Sequence, residues 1–231
     1  AIDFAGNESS HGTHIVTIDT SPPIVPSPST LTPTSNVNPE WTWSVNSDVV
    51  LYEVILDNIV KGIQTNTNFV ANNLSDGTHE IKVRAKDSVG NWSEFGTHNV
   101  NIDSTPPSIP KPYSESPTAN ENPTWTWQSI VDATEYEITL DNVFVQHQTE
   151  NIFNVSSNLS EGSHIIKVRS KDALGNYSGY GTHVVTIDTA SPTPPTISVN
   201  SPTNDNTPTW TWNMDSDAQE YEVLLNNELQ P

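Results

Sequence analysis

The sequence predicts an all-β chain: a tandem array of small β-sandwiches, each about 85 residues long. Three observations predict it. Residues 74–103 (LSDGTHEIKVRAKDSVGNWSEFGTHNVNID) return 85 positions later as 159–188 (LSEGSHIIKVRSKDALGNYSGYGTHVVTID), with 19 of 30 positions identical. The triplet Trp-Thr-Trp occurs at Trp41/Trp43, Trp125/Trp127 and Trp210/Trp212, spaced 84 and 85 apart. Between these landmarks apolar and polar residues alternate at period two, the signature of half-buried strands, and no helical period appears. Such a period marks repeating structural units. It divides the chain into the C-terminal part of a preceding repeat (1–20), two full repeats (21–104 and 105–189) and the N-terminal part of a following one (190–231). The expectation is a segment of a longer polypeptide.

Composition narrows the class. Cysteine is absent, so neither a disulfide nor a thiolate metal site supports the fold. With 28 acidic and 8 basic residues, the formal net charge is −20. That balance argues against nucleic acid as a partner, because phosphates need Lys and Arg. It also disfavours anionic membrane surfaces, and no apolar run is long enough to span a bilayer. A self-repelling acidic surface suits a protein in a salty or calcium-bearing medium.

The elements follow in order. Residues 11–19 (HGTHIVTID) alternate, with His14, Val16 and Ile18 on one face, and predict a half-buried strand. The Pro-rich stretch 21–40 predicts a linker and then an edge strand, since proline fixes φ and removes a backbone donor. It recurs at 104–123 and 190–208. Trp41 and Trp43, two apart in a strand, face the same way. A polar turn after Val45 leads into a strand that places Tyr52, Val54 and Leu56 on one face. A short strand around Phe69, or Phe153 in the second repeat, precedes the corner Leu-Ser-Asp-Gly. The next strand puts His79, Ile81, Val83 and Ala85 inward and Glu80, Lys82, Arg84 and Lys86 outward. The turn DSVGN leads to a last strand with His98, Val100 and Ile102 inward. About seven short strands per repeat, with regular turn signals, predict a β-sandwich.

These residues resemble a known family. Trp in the second strand, Tyr-Glu-Val in the third and L-x-x-G before an alternating V-R-A strand look like fibronectin type III domains. K-D-x-x-G-N-x-S followed by I-D-x-x-x-P is similar to bacterial Ig-like repeats of large surface proteins of the adhesin type. The resemblance implies tandem Ig-like or fibronectin type III-like sandwiches with a buried Trp core. One departure stands out. Where fibronectin type III domains carry a corner tyrosine, His79 and His164 stand here, in a corner one residue shorter. An imidazole hydrogen bond is the expected replacement.

Candidate sites are few. The Trp of the triplets can be core or a flat sugar-binding platform, and core is favoured because so small a sandwich needs large apolar side chains. Trp92 and Tyr177, in a turn, are the better candidates for ligand contact. His79 and His98, each at the start of a strand, are placed on the order of 25 Å apart by strand length, too far to share a metal. No nucleophile elbow occurs, and no Ser is paired with His and Asp at a recognised spacing. N-x-S sequons at Asn7, Asn73, Asn91, Asn154, Asn158 and Asn176 are read as chance. The recurring aspartates are the most informative polar residues. The resemblance to fibronectin type III domains, whose chain enters at one pole and leaves at the other, implies that the corner and the final Ile-Asp fall at the outgoing pole, and the turn after Val45 and the D-x-x-G-N turn at the incoming pole. Asp76 and Asp103 of one repeat then approach Asp132 and Asp172 of the next, where they either cap turns or hold a calcium ion between domains.

The function these features imply is non-enzymatic. The expectation is an extracellular spacer or stalk of a bacterial surface protein, an adhesin, with neighbouring repeats of the same chain as its partners. The alternatives are a glycan- or protein-binding module acting through Trp92 and Tyr177, an accessory array of a secreted polysaccharide-degrading enzyme, and a self-associating filament or sheath.

Overall fold

The structure is a computed structural model and describes residues 1–44 and 46–230; the predicted position of the turn after Val45 is therefore described only from residue 46 on. By contact density the chain forms two units. The first holds residues 1–108, 130–134 and 170–179, and the second holds 109–129, 135–169 and 180–231.

Each full repeat builds one sandwich from six strands. In the first, β1 (Glu40–Thr42) pairs antiparallel with β4 (Asn68–Val70), with Trp41 opposite Phe69. The facing sheet contains β2 (Val49–Leu56), β3 (Ile59–Gln64), β5 (Gly77–Asp87) and β6 (Gly96–Ile102) in the order β3-β2-β5-β6. The Pro-rich segment joins both sheets through isolated bridges and forms no continuous strand of the kind the sequence predicts. Ser29 exchanges two backbone hydrogen bonds with Thr42, and further on Thr34 bridges to Ile102 in parallel. The leading segment thus serves one sheet and then the other.

The second sandwich repeats this plan. β7 (Thr124–Thr126) pairs with β10 (Ile152–Asn154), and β8 (Glu135–Leu140), β9 (Val143–Gln148), β11 (Gly162–Lys171) and β12 (Gly181–Ile187) lie in the order β12-β11-β8-β9. This strand order, with a two-residue hairpin between the second and third strands, defines tandem fibronectin type III-like β-sandwiches.

Local chemistry explains the turns. The β2–β3 hairpin turns on Asp57 and Asn58, both left-handed (φ 51° and 63°), and Asp141 and Asn142 repeat it at φ 50° and 65°. Two successive residues at positive φ match the twist of the strands, and Asp and Asn tolerate that region best after Gly. X-Pro bonds at Thr32–Pro33 and Ser116–Pro117 are cis.

The core sits where the period-two pattern puts it. Trp41 and Trp125 are fully buried and Trp43 and Trp127 nearly so, around Val54, Ile81, Val83 and Val100 in the first sandwich and Ile138, Ile166, Val168 and Val185 in the second. Trp43 meets the edge of Tyr52 at 5.6 Å, and Trp127 meets Tyr136 at 5.4 Å. The paired Trp are therefore core in both full repeats.

Two further expectations fail. Residues 11–19 form no strand, and Ile15, Val16 and Ile18 are exposed. A strand needs neighbours to satisfy its backbone, and no described strand pairs with this run. Alternation specified its faces and not a partner. The His79–His98 separation also fails. His79 lies opposite Val100 and His98 opposite Ile81, so the two are diagonal neighbours on the order of 7 Å apart. The wide turn after Asp87 is the cause: Trp92 bridges back to Lys86, and β6 joins the ladder only at Gly96, opposite Val83.

The remaining strands, β13 (Ile197–Ser198) with β14 (Thr211–Trp212) and β15 (Leu224–Leu225) with β16 (Glu228–Leu229), belong to residues 190–231. Trp210 and Trp212 are 42% and 38% exposed there. Among the described residues no helix is long and apolar enough to cross a membrane.

Candidate functional site: the junction turns and the corner

The two poles of the sandwich are built by short motifs that recur with the period. The motif K-D-x-x-G-N forms one of them. Asp87 is buried, and its Oδ1 accepts the backbone N–H of Val89 (3.0 Å), Gly90 (2.7 Å) and Asn91 (2.8 Å). Its Oδ2 accepts one amide proton of Asn91 at 2.8 Å. The same Asn91 amide nitrogen lies 3.2 Å from the carbonyl oxygen of Asp19. Asp172 and Asn176 repeat the arrangement. Asn176 Nδ2 donates to Asp172 Oδ2 at 2.8 Å and to the carbonyl of Asp103 at 2.9 Å. All these residues lie in the first unit. Burial acts most strongly on both aspartates and raises their pKa, but the amide donors outweigh it and hold both carboxyls below the ordinary value.

Nearby contacts secure the same place. Ser35 Oγ donates to the carbonyl of Leu174 at 3.0 Å, and Ser170 Oγ donates to that of Ser108 at 2.7 Å.

The corner Leu-Ser-Asp-Gly holds the segment that leaves the sandwich. Asp76 Oδ1 accepts from the Ser104 amide (2.8 Å) and hydroxyl (2.6 Å), and Oδ2 from the Thr105 hydroxyl at 2.5 Å. The Ser104 hydroxyl, then the Thr105 hydroxyl and the Ser104 amide, keep the Asp76 carboxyl below its usual range. In the second repeat Glu161 takes this place and accepts from the Thr189 amide (3.1 Å) and hydroxyl (2.8 Å). Asp103 Oδ1 accepts the amide of Thr105 at 3.1 Å.

Of the four proposed calcium ligands, the structure thus brings Asp76, Asp103 and Asp172 to neighbouring turns. The carboxylates of Asp76 and Asp172, and one oxygen of Asp103, are already used by N–H and O–H donors. Asp132 lies exposed in the turn before β8. Among the described residues no group of three or more His, Asp or Glu is placed to hold a metal ion.

Trp92 is half-buried, not open. The Arg84 guanidinium lies 4.5 Å from its ring centre and Lys86 Nζ 5.3 Å away. Arg84 also covers Phe95 at 4.8 Å and pairs with Glu53 at 2.5 Å. Tyr177 carries Lys171 at 5.3 Å, and Arg169 covers Tyr180 at 4.9 Å while pairing with Glu137. Cations of the adjacent strand thus lie within 5.3 Å of the Trp92 and Tyr177 ring centres.

The corner histidine does what its position implies. His79 Nε2 lies 2.9 Å from the carbonyl oxygen of Ser75, and Nδ1 lies 2.8 Å from Asp57 Oδ2. His164 repeats this with Ser160 O at 2.9 Å and Asp141 Oδ2 at 2.7 Å. The imidazole therefore supplies the corner hydrogen bond. The second repeat also sets Ser160 Oγ 3.4 Å from His164 Nε2, so Ser, His and Asp meet as in a hydrolytic triad. A carbonyl and a carboxylate are both acceptors, so the protonated ring donates from both nitrogens and in that form has no lone pair to act as a base.

Sequence reading missed Asn91 and Asn176, which it treated only as sequons, and the Asp57 and Asp141 partners of the histidines. The recurrence of Gly-Asn after Asp, and of Asp-Asn in the hairpin, was the available signal.

No family model and no curated protein matches this chain. Among solved structures it is similar to the fibronectin(III)-like modules of Clostridium thermocellum CbhA, at 18% identity over 75% of this chain and 94% of that one, with a TM-score of 0.43. It is also similar to the FN1–FN3 domains of chicken CNTN1, at 16% identity over 80% of this chain and 73% of that one, with a TM-score of 0.45. A further similar structure, FN3tt mut, matches 36% of this chain and 97% of its own length at 26% identity, with a TM-score of 0.32. The class rests on the strand order and register described above: the chain is a tandem array of fibronectin type III-like sandwiches.

Proposed function

We propose that this chain is a non-enzymatic spacer of an extracellular bacterial surface protein of the adhesin type, which holds a functional region away from the cell. One observation carries the reading: the hydrogen bond from Asn176 to the carbonyl of Asp103, repeated from Asn91 to Asp19. It spends a side chain of the turn on the backbone of the preceding segment. A chain that only needed to be tethered has no use for such a bond at each period. Stiff spacers restrict their linkers, and Pro-rich segments supply part of that restriction. The net charge of −20 keeps neighbouring chains apart.

The test is imaging of arrays with increasing numbers of these repeats by negative-stain electron microscopy. Particle length rising in proportion to repeat number supports the spacer. Compact particles, or lateral sheets of chains, contradict it and favour the self-associating alternative. A calcium ion shared by Asp76, Asp103, Asp132 and Asp172 is the competing source of stiffness, and imaging in chelator separates the two. A glycan array tests the binding-module reading through Trp92 and Tyr177. A catalytic domain next to these repeats in the full-length sequence favours the accessory-array reading.

A further inference from the structure

We propose that the corner histidine of each full repeat is a proton-operated latch that sets the grip of the corner on the segment leaving the sandwich. The geometry is the same twice. Asp57, at the tip of the β2–β3 hairpin, faces Nδ1 of His79, and the Ser75 carbonyl faces Nε2. Asp141 and Ser160 face His164 in the same way. The residue after that carbonyl is Asp76 or Glu161, the group that holds Ser104 and Thr105 or Thr189. One covalent step therefore separates what the imidazole holds from what holds the linker.

Protonation decides whether the imidazole can hold both partners. The imidazolium donates to both acceptors. The neutral ring has one N–H, which stays with the stronger acceptor, the carboxylate of Asp57. Nε2 then presents a lone pair to the Ser75 carbonyl, and the two repel. The carbonyl must turn away, and Asp76 turns with it. Titratable neighbours across the ladder are His98 and His183, which stand diagonally from His79 and His164, opposite Ile81 and Ile166. The cross-strand neighbours of His79 and His164 are Val100 and Val185. Glu80, on the alternate face of β5, is paired with Lys82 at 3.1 Å. Each latch lies wholly within one unit, so the two work independently.

The shifts agree in direction. Burial acts most strongly on His79 and lowers its pKa, but the bond to Asp57, the Ser75 carbonyl and the Asp57 charge together raise it above 6.5. For His164 the bond to Asp141 is the largest effect and raises it. The latch is closed below the ordinary histidine value and opens as pH rises through the elevated one.

The test is a pH titration of the whole chain by 1H–15N NMR, reading the ring nitrogens of His79 and His164 and the amides of Ser104 and Thr189. We expect both histidines to titrate above 6.5, with the Ser104 amide following His79 and the Thr189 amide following His164. His79→Gln keeps donors at the site without a titration and removes the Ser104 step while the Thr189 step persists. Asp57→Asn lowers the His79 midpoint and carries the Ser104 step with it. Amides of Ser104 and Thr189 that stay flat through the histidine midpoints overturn the proposal. So do histidines titrating at or below the ordinary value, or a Ser104 step that survives His79→Gln or stays in place in Asp57→Asn. The outcome does not depend on the spacer reading.

Discussion

Gly96 sits against the carbonyl of Pro26 so closely that a Cβ at Gly96 lies 1.7 Å from the Pro26 oxygen. Gly181 and Pro110 repeat the contact at the same 1.7 Å. This is where the Pro-rich segment crosses the start of β6 or β12. Backbone cannot yield as a flexible side chain can. Gly96→Ala and Gly181→Ala are therefore expected to destabilise their sandwiches by about 1–3 kcal/mol or more. Urea unfolding read separately for each sandwich checks this, and unchanged midpoints in both variants contradict it.

The Trp pairs give the largest expected losses. Trp125 is fully buried against Phe153, with ring centres 6.1 Å apart, and donates Nε1 to His183 at 3.3 Å. Trp125→Ala or Trp127→Ala should cost about 3–5 kcal/mol, a large share of a small domain's stability. An unchanged melting temperature with a lost sugar affinity would show a binding platform in their place.

The buried turn aspartates contribute to the acid limb of stability, beside Asp76 and Glu161. The carboxyls of Asp87 and Asp172 lie below 3.8 in the folded chain. A depressed carboxylate stabilises fully above its unfolded value, and that contribution is lost as pH falls through the folded one. The melting temperature should therefore fall below pH 3.8. Asp87→Asn should lower it at neutral pH and flatten the acid limb, because the amide nitrogen cannot accept the donors that Asp87 gathers. An unchanged acid limb in Asp87→Asn contradicts this assignment.

The Ser160–His164–Asp141 trio is expected to be catalytically silent. Incubation with activated esters and with polysaccharides should give no turnover above buffer. Reproducible turnover abolished by Ser160→Ala, or by one Asp or Glu substitution, reverses that conclusion.

The sandwich was legible because period two and the recurring Trp state which side chains go inward, and burial follows that pattern through Tyr52, Val54 and Leu56. What stayed hidden was register. Nothing local to His79 points to Asp57, 22 residues away, because the hairpin brings them together. The same blindness put His98 at the wrong end of the sheet. It also made a strand of residues 11–19, whose alternation is genuine but which has no ladder to join. The junction aspartates were located by their repetition. Their partners were not, because Asn91 and Asn176 act through side-chain amides on distant backbone carbonyls, and sequence shows only a sequon there.

The central claim is that side-chain hydrogen bonds, and not a cation, set the junction around Asp103. Small-angle X-ray scattering of the chain in calcium, in chelator, and with Asn176→Ala and Ser35→Ala combined tests it most directly, with circular dichroism confirming that the sandwiches remain folded. We expect the same maximum dimension in calcium and in chelator, and a broader distance distribution in the double variant. A dimension that changes when calcium is removed, together with a double variant indistinguishable from the parent, contradicts the claim and returns Asp76, Asp103, Asp132 and Asp172 to the role of calcium ligands.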